Sequence, residues 1–377
     1  MKNNIPLGLS LYFDVVRFAA AIVVMLSHIW PLIFPHTPLP WPGHAAVVVF
    51  FVLSGYVIAF ASDRPGLLAG TYATHRAVRI LSVTVPALLL SIVIAPYVAT
   101  GGAVPFAGPM SIPDPEFWRA ICVNLFFLGE SWLGSSTPPF NPPFWSLSYE
   151  VWYYVIFGVW MFSAAKWRPW LTAAAVFLAG FNIVLLLPVW LLGVVIYRKK
   201  IALPEGIALQ LFAATVVLGL AYYWLDCSVW IRGYMIAGAP DFMRTLNGSN
   251  QFVGDFLLGL IVAANFVAAA SISRHLDFLA IVARPIRYLA SFTLSVYLFH
   301  LPLAVFIWDG LQVRSVPGFA LLLLTGIFVL GSITERNNKR LRDWVERALA
   351  KAPGRQRAAR SSTPEQHVDP EEGAQLH

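Results

Sequence analysis

Long apolar runs dominate the pattern of this chain. They fall near residues 12–34, 44–61, 80–99, 145–165, 170–181, 184–197, 206–225, 252–272, 286–307 and 317–335. A helix that crosses a bilayer needs about 20 mostly apolar residues, and most of these runs approach that length. The fifth and sixth are short. They read either as two brief helices around Phe181 and Asn182 or as one broken hairpin. The segment Phe117–Glu130 (FWRAICVNLFFLGE) is too short to span comfortably and reads as an interfacial or re-entrant helix on the outer side. The stretch SSTPPFNPPFWS that follows cannot be regular helix, because proline lacks the amide donor and restricts the residue before it. It reads as a fixed, extended approach to the fourth span. No repeat emerges at solenoid periods, and no clear inverted repeat of the transporter kind. The pattern predicts an all-α, polytopic transmembrane helical bundle of about ten spans.

Composition strengthens that reading. The chain is 58% hydrophobic and only 12% charged, against about 25% charged in an average soluble domain. Lipid must cover much of so apolar a surface. No polar linker divides residues 1–335, which are expected to form one membrane domain. Residues 336–377 form a charged tail: from Glu335 onward the chain holds 16 of its 45 Asp, Glu, Lys and Arg residues. The run RLRDWVERALAK, Arg340–Lys351, has the character of a helix lying along the membrane surface. Beyond Pro353 little can offset the entropy of ordering, and disorder is expected. The first run, Leu11–Phe34, contains Asp14 and Arg17 and reads as a retained signal anchor.

Charge sets the orientation. Basic residues gather in Arg64–Arg79, Lys166–Arg168, Arg198–Lys200, Arg274–Arg287 and the tail. The loops Pro35–Gly43, Thr100–Glu116 and Asp309–Val313 are nearly free of them. With ten spans, the positive-inside rule puts every basic group and both termini in the cytoplasm. A net charge of +7 suits an anionic cytoplasmic leaflet. Nucleic acid is not an expected partner, since the basic residues flank hydrophobic spans instead of forming a stripe with aromatic platforms. Cys122 and Cys227 lie far apart without metal-ligand spacing, so little speaks for a disulfide and no metal is expected.

The polar residues inside the runs carry the candidate chemistry. Arg17 and His28 are eleven residues apart, which is three helical turns plus roughly 20°, so they share a face about 16 Å apart along the axis. Asp14 precedes Arg17 by three residues and can pair with it. Taken singly, Arg17 reads equally as a snorkelling anchor and His28 as a packing histidine. Intramembrane ionisable groups that share a face more often line a cavity. In FFVLSGYVI, Phe50–Ile58, the Ser–Gly pair reads first as a helix–helix contact point. Arg76 and Arg79 in HRAVR face one side of a helix start. They are either a topology signal or a phosphate clamp, because guanidinium forks match phosphate oxygens. In PPFWSLSYE, Ser146 and Glu150 share a helix face beside Trp145. The carboxylate is read at the outer end of its span, as a harmless interfacial group or as part of an acceptor site. In SFTLSVYLFHLP, Tyr297 and His300 are three apart, and the bland reading is a Tyr–His hydrogen bond that locks the bundle. Asp255, three residues after Phe252, is left without a role.

These motifs together resemble the membrane-bound acyltransferase 3 family, the bacterial O-acyltransferases of glycans and small molecules. The resemblance covers roughly residues 9–335, in family order. It rests on Asp14 to Arg17, on Arg17 followed by His28, on FFVLSGYVI with Tyr56 where Phe is usual, on Arg76 and Arg79, on Trp145 to Glu150, and on Tyr297 with His300. The resemblance implies transfer of an acyl group, commonly acetyl, from cytoplasmic acyl-coenzyme A to a hydroxyl of a carbohydrate or other small molecule, in the bacterial inner membrane. It implies catalytic roles for His28, Arg17 and Glu150. Coenzyme A phosphates would be held by Arg76, Arg79 and Arg17. Asp14, Trp145, Ser146, Tyr297 and His300 would support the site or the acceptor. His28 would act as a base, with an imidazole pKa near 6.5, or as an acyl carrier. A rival reading is a secondary transporter with His28, Glu150 and Asp255 as a proton relay. A third is a subunit that hands acyl groups to a separate enzyme.

Overall fold

A computed structural model of the chain describes residues 5–37, 42–98, 112, 114–132 and 135–351, the side chains of the last three excepted. The segment past Pro353, where disorder is expected, and most of the loop 100–116 lie outside the described residues. The chain runs through α1 (Leu7–Ile33), α2 (Gly43–Ser62), α3 (Ala69–Ile94), α4 (Pro115–Leu125) and α5 (Trp145–Phe162). Then come α6 (Arg168–Ala179), α7 (Phe181–Leu185), α8 (Leu187–Lys199), α9 (Glu205–Trp224), α10 (Cys227–Gly238) and α11 (Pro240–Thr245). The last are α12 (Phe252–Ser271), α13 (Ala283–Ala290), α14 (Thr293–Val305), α15 (Val316–Ile333) and α16 (Asn338–Lys351). No strand occurs among the described residues, as expected where a backbone must satisfy its own hydrogen bonds in lipid.

Seven of these stretches are long and apolar enough to cross a membrane: α1, α2, α3, α9, α12, α14 continued to Gly310, and α15 continued into α16. The other three of the ten apolar runs are α5, α6 and α8, of 18, 12 and 13 residues. The first half of α5 carries Ser146, Ser148 and Glu150, which lowers its apolar character. The fifth and sixth runs are broken at Gly180, which takes φ +84° and sits where a Cβ would come within 2.1 Å of the Trp132 amide nitrogen. Only glycine fits that backbone conformation and that contact. Helix α4 is short, as its sequence implies, with Asp114 accepting from the Glu116 amide at its N-terminus. Cys122 and Cys227 are free thiols.

The bundle closes around small residues. Gly55 on α2 and Gly193 on α8 face each other so tightly that a Cβ on the first would lie 2.0 Å from the Trp190 carbonyl, and one on the second 1.9 Å from the Val52 carbonyl. Gly43 packs likewise on Ser27 of α1. The Ser–Gly pair of the second run is therefore a helix–helix contact, and its serine does more, as shown below. Helix α14 is the most enclosed element, every residue from Ser295 to Val305 being buried. Its first turn is capped from a distance: Glu335, just past α15, accepts from the Leu294 and Ser295 amides at 3.2 and 2.9 Å and from Ser295 Oγ at 2.9 Å. A carboxylate there offsets the unpaired amides of the helix start.

Candidate active site

Arg17, Arg76, Arg79, Ser54, Ser146, Glu150, Tyr154 and Tyr297 line one internal cavity of about 70 Å³. Helix α3 begins at Ala69, earlier than its apolar run suggests, so Arg76 and Arg79 lie about two and three turns inside it. Arg17 is tied to Asp14 at 2.9 Å and donates to the Ala290 carbonyl at 3.4 Å. Arg287 reaches the other oxygen of Asp14 at 3.4 Å. The guanidinium groups of Arg76 and Arg79 make no hydrogen bond or ion pair with the described residues, and the Nε atoms of Arg17 and Arg76 are buried without a partner. Cations drawn in from water are normally paired. These two half-buried guanidinium groups, three residues apart and lining one cavity, form a fork for an anion.

Glu150 corrects the sequence reading. It does not stand at the outer rim but in this same arginine-lined cavity. The reason is helical rise: it lies five residues beyond Trp145, about 7.5 Å along α5. Ser54 Oγ donates to Glu150 Oε1 at 2.8 Å, and Tyr154 OH donates to the same oxygen. Trp190 Nε1 donates to Ser54 Oγ at 3.3 Å, which holds the serine in place. Neither Ser54 nor Tyr154 was singled out by sequence for this role. The i, i+4 spacing of Glu150 and Tyr154 was the available signal.

The side chains of Tyr297 and His300 do not bond to each other. Tyr297 OH pairs with Ser146 Oγ at 2.5 Å and donates to the Pro143 carbonyl at 3.0 Å. It thereby anchors the proline approach and the start of α5 to α14. His300, buried one turn on, meets His28: its Nε2 lies 3.3 Å from His28 Nδ1. Each imidazole also points Nδ1 at the carbonyl four residues back, His28 to Val24 and His300 to Val296, both at 2.8 Å. A carbonyl can only accept, so both Nδ1 atoms carry the hydrogen in the neutral pair. His300 Nε2 then accepts from His28 Nδ1–H, and the lone pair of His28 resides on Nε2.

A second ionisable pair escaped the sequence reading. His44 Nε2 faces both oxygens of Asp255 at 3.0 and 3.1 Å, and the His44 ring stacks on Trp145 at 5.6 Å between centroids. Trp145 thus joins the two clusters, since Ser146 follows it. His44 and Asp255 lie on the wall of a larger, mainly apolar cavity of about 600 Å³ between α1, α2, α9 and α12. A histidine at the mouth of an apolar run was the only signal for His44. No cluster of three or more His, Cys, Asp or Glu able to hold a metal occurs among the described residues.

Comparison with known proteins gives this geometry a lineage. The family model described as "Acyltransferase domain" matches residues 10–335. Acyltransferase MdmB of Streptomyces mycarofaciens is 33% identical over 121 residues, which are 31% of this chain and 28% of that protein. The aligned portion thus spans under a third of that relative's length. No solved structure matches the chain. The family match takes in the arginine cavity, the histidine pair and the Trp145–Glu150 element together, and the chain belongs to the acyltransferase 3 family.

Proposed function

We propose that the protein is a multi-pass O-acyltransferase of the bacterial inner membrane. It moves an acyl group, acetyl in the simplest case, from acyl-coenzyme A to a hydroxyl of a carbohydrate or glycan. The observation that carries the reading is the pair of unpartnered arginines, Arg76 and Arg79, in a cavity that runs on to Tyr297. The donor diphosphate sits on that pair, with Arg17 beside it, oriented by Asp14. Glu150, fixed by Ser54 and Tyr154, positions the arginine group and offsets part of its charge. The pantetheine arm follows the cavity toward Tyr297. His300 lies one turn beyond, and His28 against it.

At that end His28 Nε2 takes the proton of the acceptor hydroxyl as its oxygen bonds to the thioester carbonyl carbon. The tetrahedral intermediate collapses, the C–S bond breaks, and the departing thiolate recovers the proton from His28. The Val24 carbonyl and His300 hold the imidazole in the required tautomer throughout. Trp145 and the His44–Asp255 pair lie on the acceptor side of this arrangement.

The test separates donor binding from chemistry. Coenzyme A is expected to raise the melting temperature of the wild type and of His28→Ala alike, and not that of the Arg76→Ala/Arg79→Ala double variant. Acetylation of surface glycans, read by mass spectrometry, should fall at least about 100-fold in His28→Ala. Normal acetylation by a well-expressed His28→Ala protein would overturn the base role. Equal protection of the arginine variant by coenzyme A would overturn the clamp.

A further inference from the structure

The arginine cavity has a mouth. Arg76 and Arg79 also line a second cavity, of about 700 Å³, whose wall adds Arg64, Arg287, Arg336, Lys339 and Arg342 against a single carboxylate, Glu335. That carboxylate is held in place by capping α14 and offsets one of these positive charges. Arg287 is shared with Asp14 at 3.4 Å and Arg342 Nε lies 3.7 Å from Asp343, yet the seven cations still outnumber the nearby carboxylates among the described residues, and the excess favours entry of an anion.

Three of those cations come from the C-terminal helix and the turn before it. Arg336 is held over the Tyr288 ring at 4.9 Å and the Phe292 ring at 5.5 Å. Lys339 and Arg342 are three residues apart on α16, so they share one helix face. The helix is fastened to α3 by His75 Nε2, 2.8 Å from Glu346 Oε1. His75 is one residue before Arg76, so the same turn of α3 carries both the tether and the inner anion fork. These α16 residues also lie beyond the matched family region, which ends at residue 335.

We infer that α16 supplies the seat for the 3′-phosphate of the donor. The monoester rests on Lys339 and Arg342, with Arg336 beside them, and the diphosphate on Arg76 and Arg79 further in. The inference rests on the proposed use of acyl-coenzyme A and names the part of that ligand the outer vestibule reads. A phosphate monoester carries about −1.5 to −2 charges near neutral pH, the densest charge on such a donor and the one best matched to an open, multiply basic rim. Anionic lipid headgroups offer the same phosphate chemistry, so the test must distinguish the two sources.

The experiment is titration calorimetry of the full chain in phosphatidylcholine nanodiscs, with coenzyme A and with 3′-dephospho-coenzyme A. The wild type is expected to bind coenzyme A about tenfold or more tighter, as loss of charge-assisted hydrogen bonds implies. Lys339→Gln/Arg342→Gln should bring coenzyme A down to the affinity of the dephospho ligand and leave the latter unchanged. Lys339→Arg/Arg342→Lys should keep the discrimination, which a merely misfolded double variant would not explain. Equal binding of both ligands by the wild type would overturn the α16 seat while leaving the acyl-coenzyme A reading intact. So would a double variant that weakens both ligands alike. Binding of neither ligand would overturn the donor reading, and the seat with it. The same titrations in nanodiscs containing phosphatidylglycerol test the lipid source. If the Gln substitutions change only the response to phosphatidylglycerol and not the ligand ratio, the patch serves lipid and the inference fails.

Discussion

Single residues in this protein are defined by partners that lie far away in the chain. Glu130 shows how much that matters. It is read from sequence only as the end of a short outer helix, yet it is 1% exposed. Burial pushes its carboxyl up to about 7, against the opposing pull of hydrogen bonds from Ser135 and the Gly248 backbone. A folded carboxyl with a raised pKa binds a proton that the unfolded chain has lost. Stability therefore falls as pH rises from about 4.5 to about 7 and levels off above. A shift of this size is on the order of 3 kcal/mol. Glu130→Gln should flatten that decline, giving a higher melting temperature than wild type at pH 8 and little difference at pH 4.5. A wild-type melting curve independent of pH across this window would contradict the buried, proton-holding state. The same distance from sequence to environment explains His44. Nothing within its own run announces Asp255, 211 residues on.

At the scale of elements, local periodicity was largely legible and close approach was not. Arg17 and His28 follow from the helical repeat alone, because α1 is unbroken between them. The α2–α8 contact needs two glycines from separate helices at one crossing. FFVLSGYVI exposes Gly55 as a candidate, and no pattern pairs it with Gly193. Because carbonyl oxygens occupy the space of both missing Cβ atoms, Gly193→Ala must push the helices apart. It is expected to cost at least about 1–3 kcal/mol, the range for overpacking, and to lower the melting temperature clearly. It should also disturb the site, since Trp190 on α8 donates to Ser54. Gly206→Ala, on α9 with no atom within 4 Å of the added carbon, is the matched control and should be neutral or slightly stabilising. If the two variants melted alike, the crossing would not be as tight as the backbone shows.

At the scale of the whole molecule, the charges sort along the direction of the helices. The vestibule and the inner arginines occupy one end, with the His28–His300 pair about three turns of α1 away. That polarity fits a donor and an acceptor arriving from opposite faces. The positive-inside reading makes the vestibule end cytoplasmic, and cysteine labelling checks it. In a Cys227→Ser background, an impermeant maleimide should label the exposed Cys122 on α4 in intact spheroplasts. A cysteine placed at Lys200 in a Cys122→Ser/Cys227→Ser chain should react only after permeabilisation. The reverse pattern would invert the orientation and the side assigned to each substrate.

The sequence by itself determined the class of protein and the order of its motifs. It also determined the shared face of Arg17 and His28 and the pairing of Asp14 with Arg17. All of these depend on composition or on helical repeat, which act over a few residues. Only the tertiary structure decided which ionisable groups meet. Ser54 and Glu150 are 96 residues apart, and His28 and His300 are 272 apart. It moved Glu150 from an outer rim into the arginine cavity, and it gave Tyr297 to Ser146 instead of His300. The physical reason is that a helix fixes the direction of a side chain relative to its own axis, while helix packing fixes what lies in that direction.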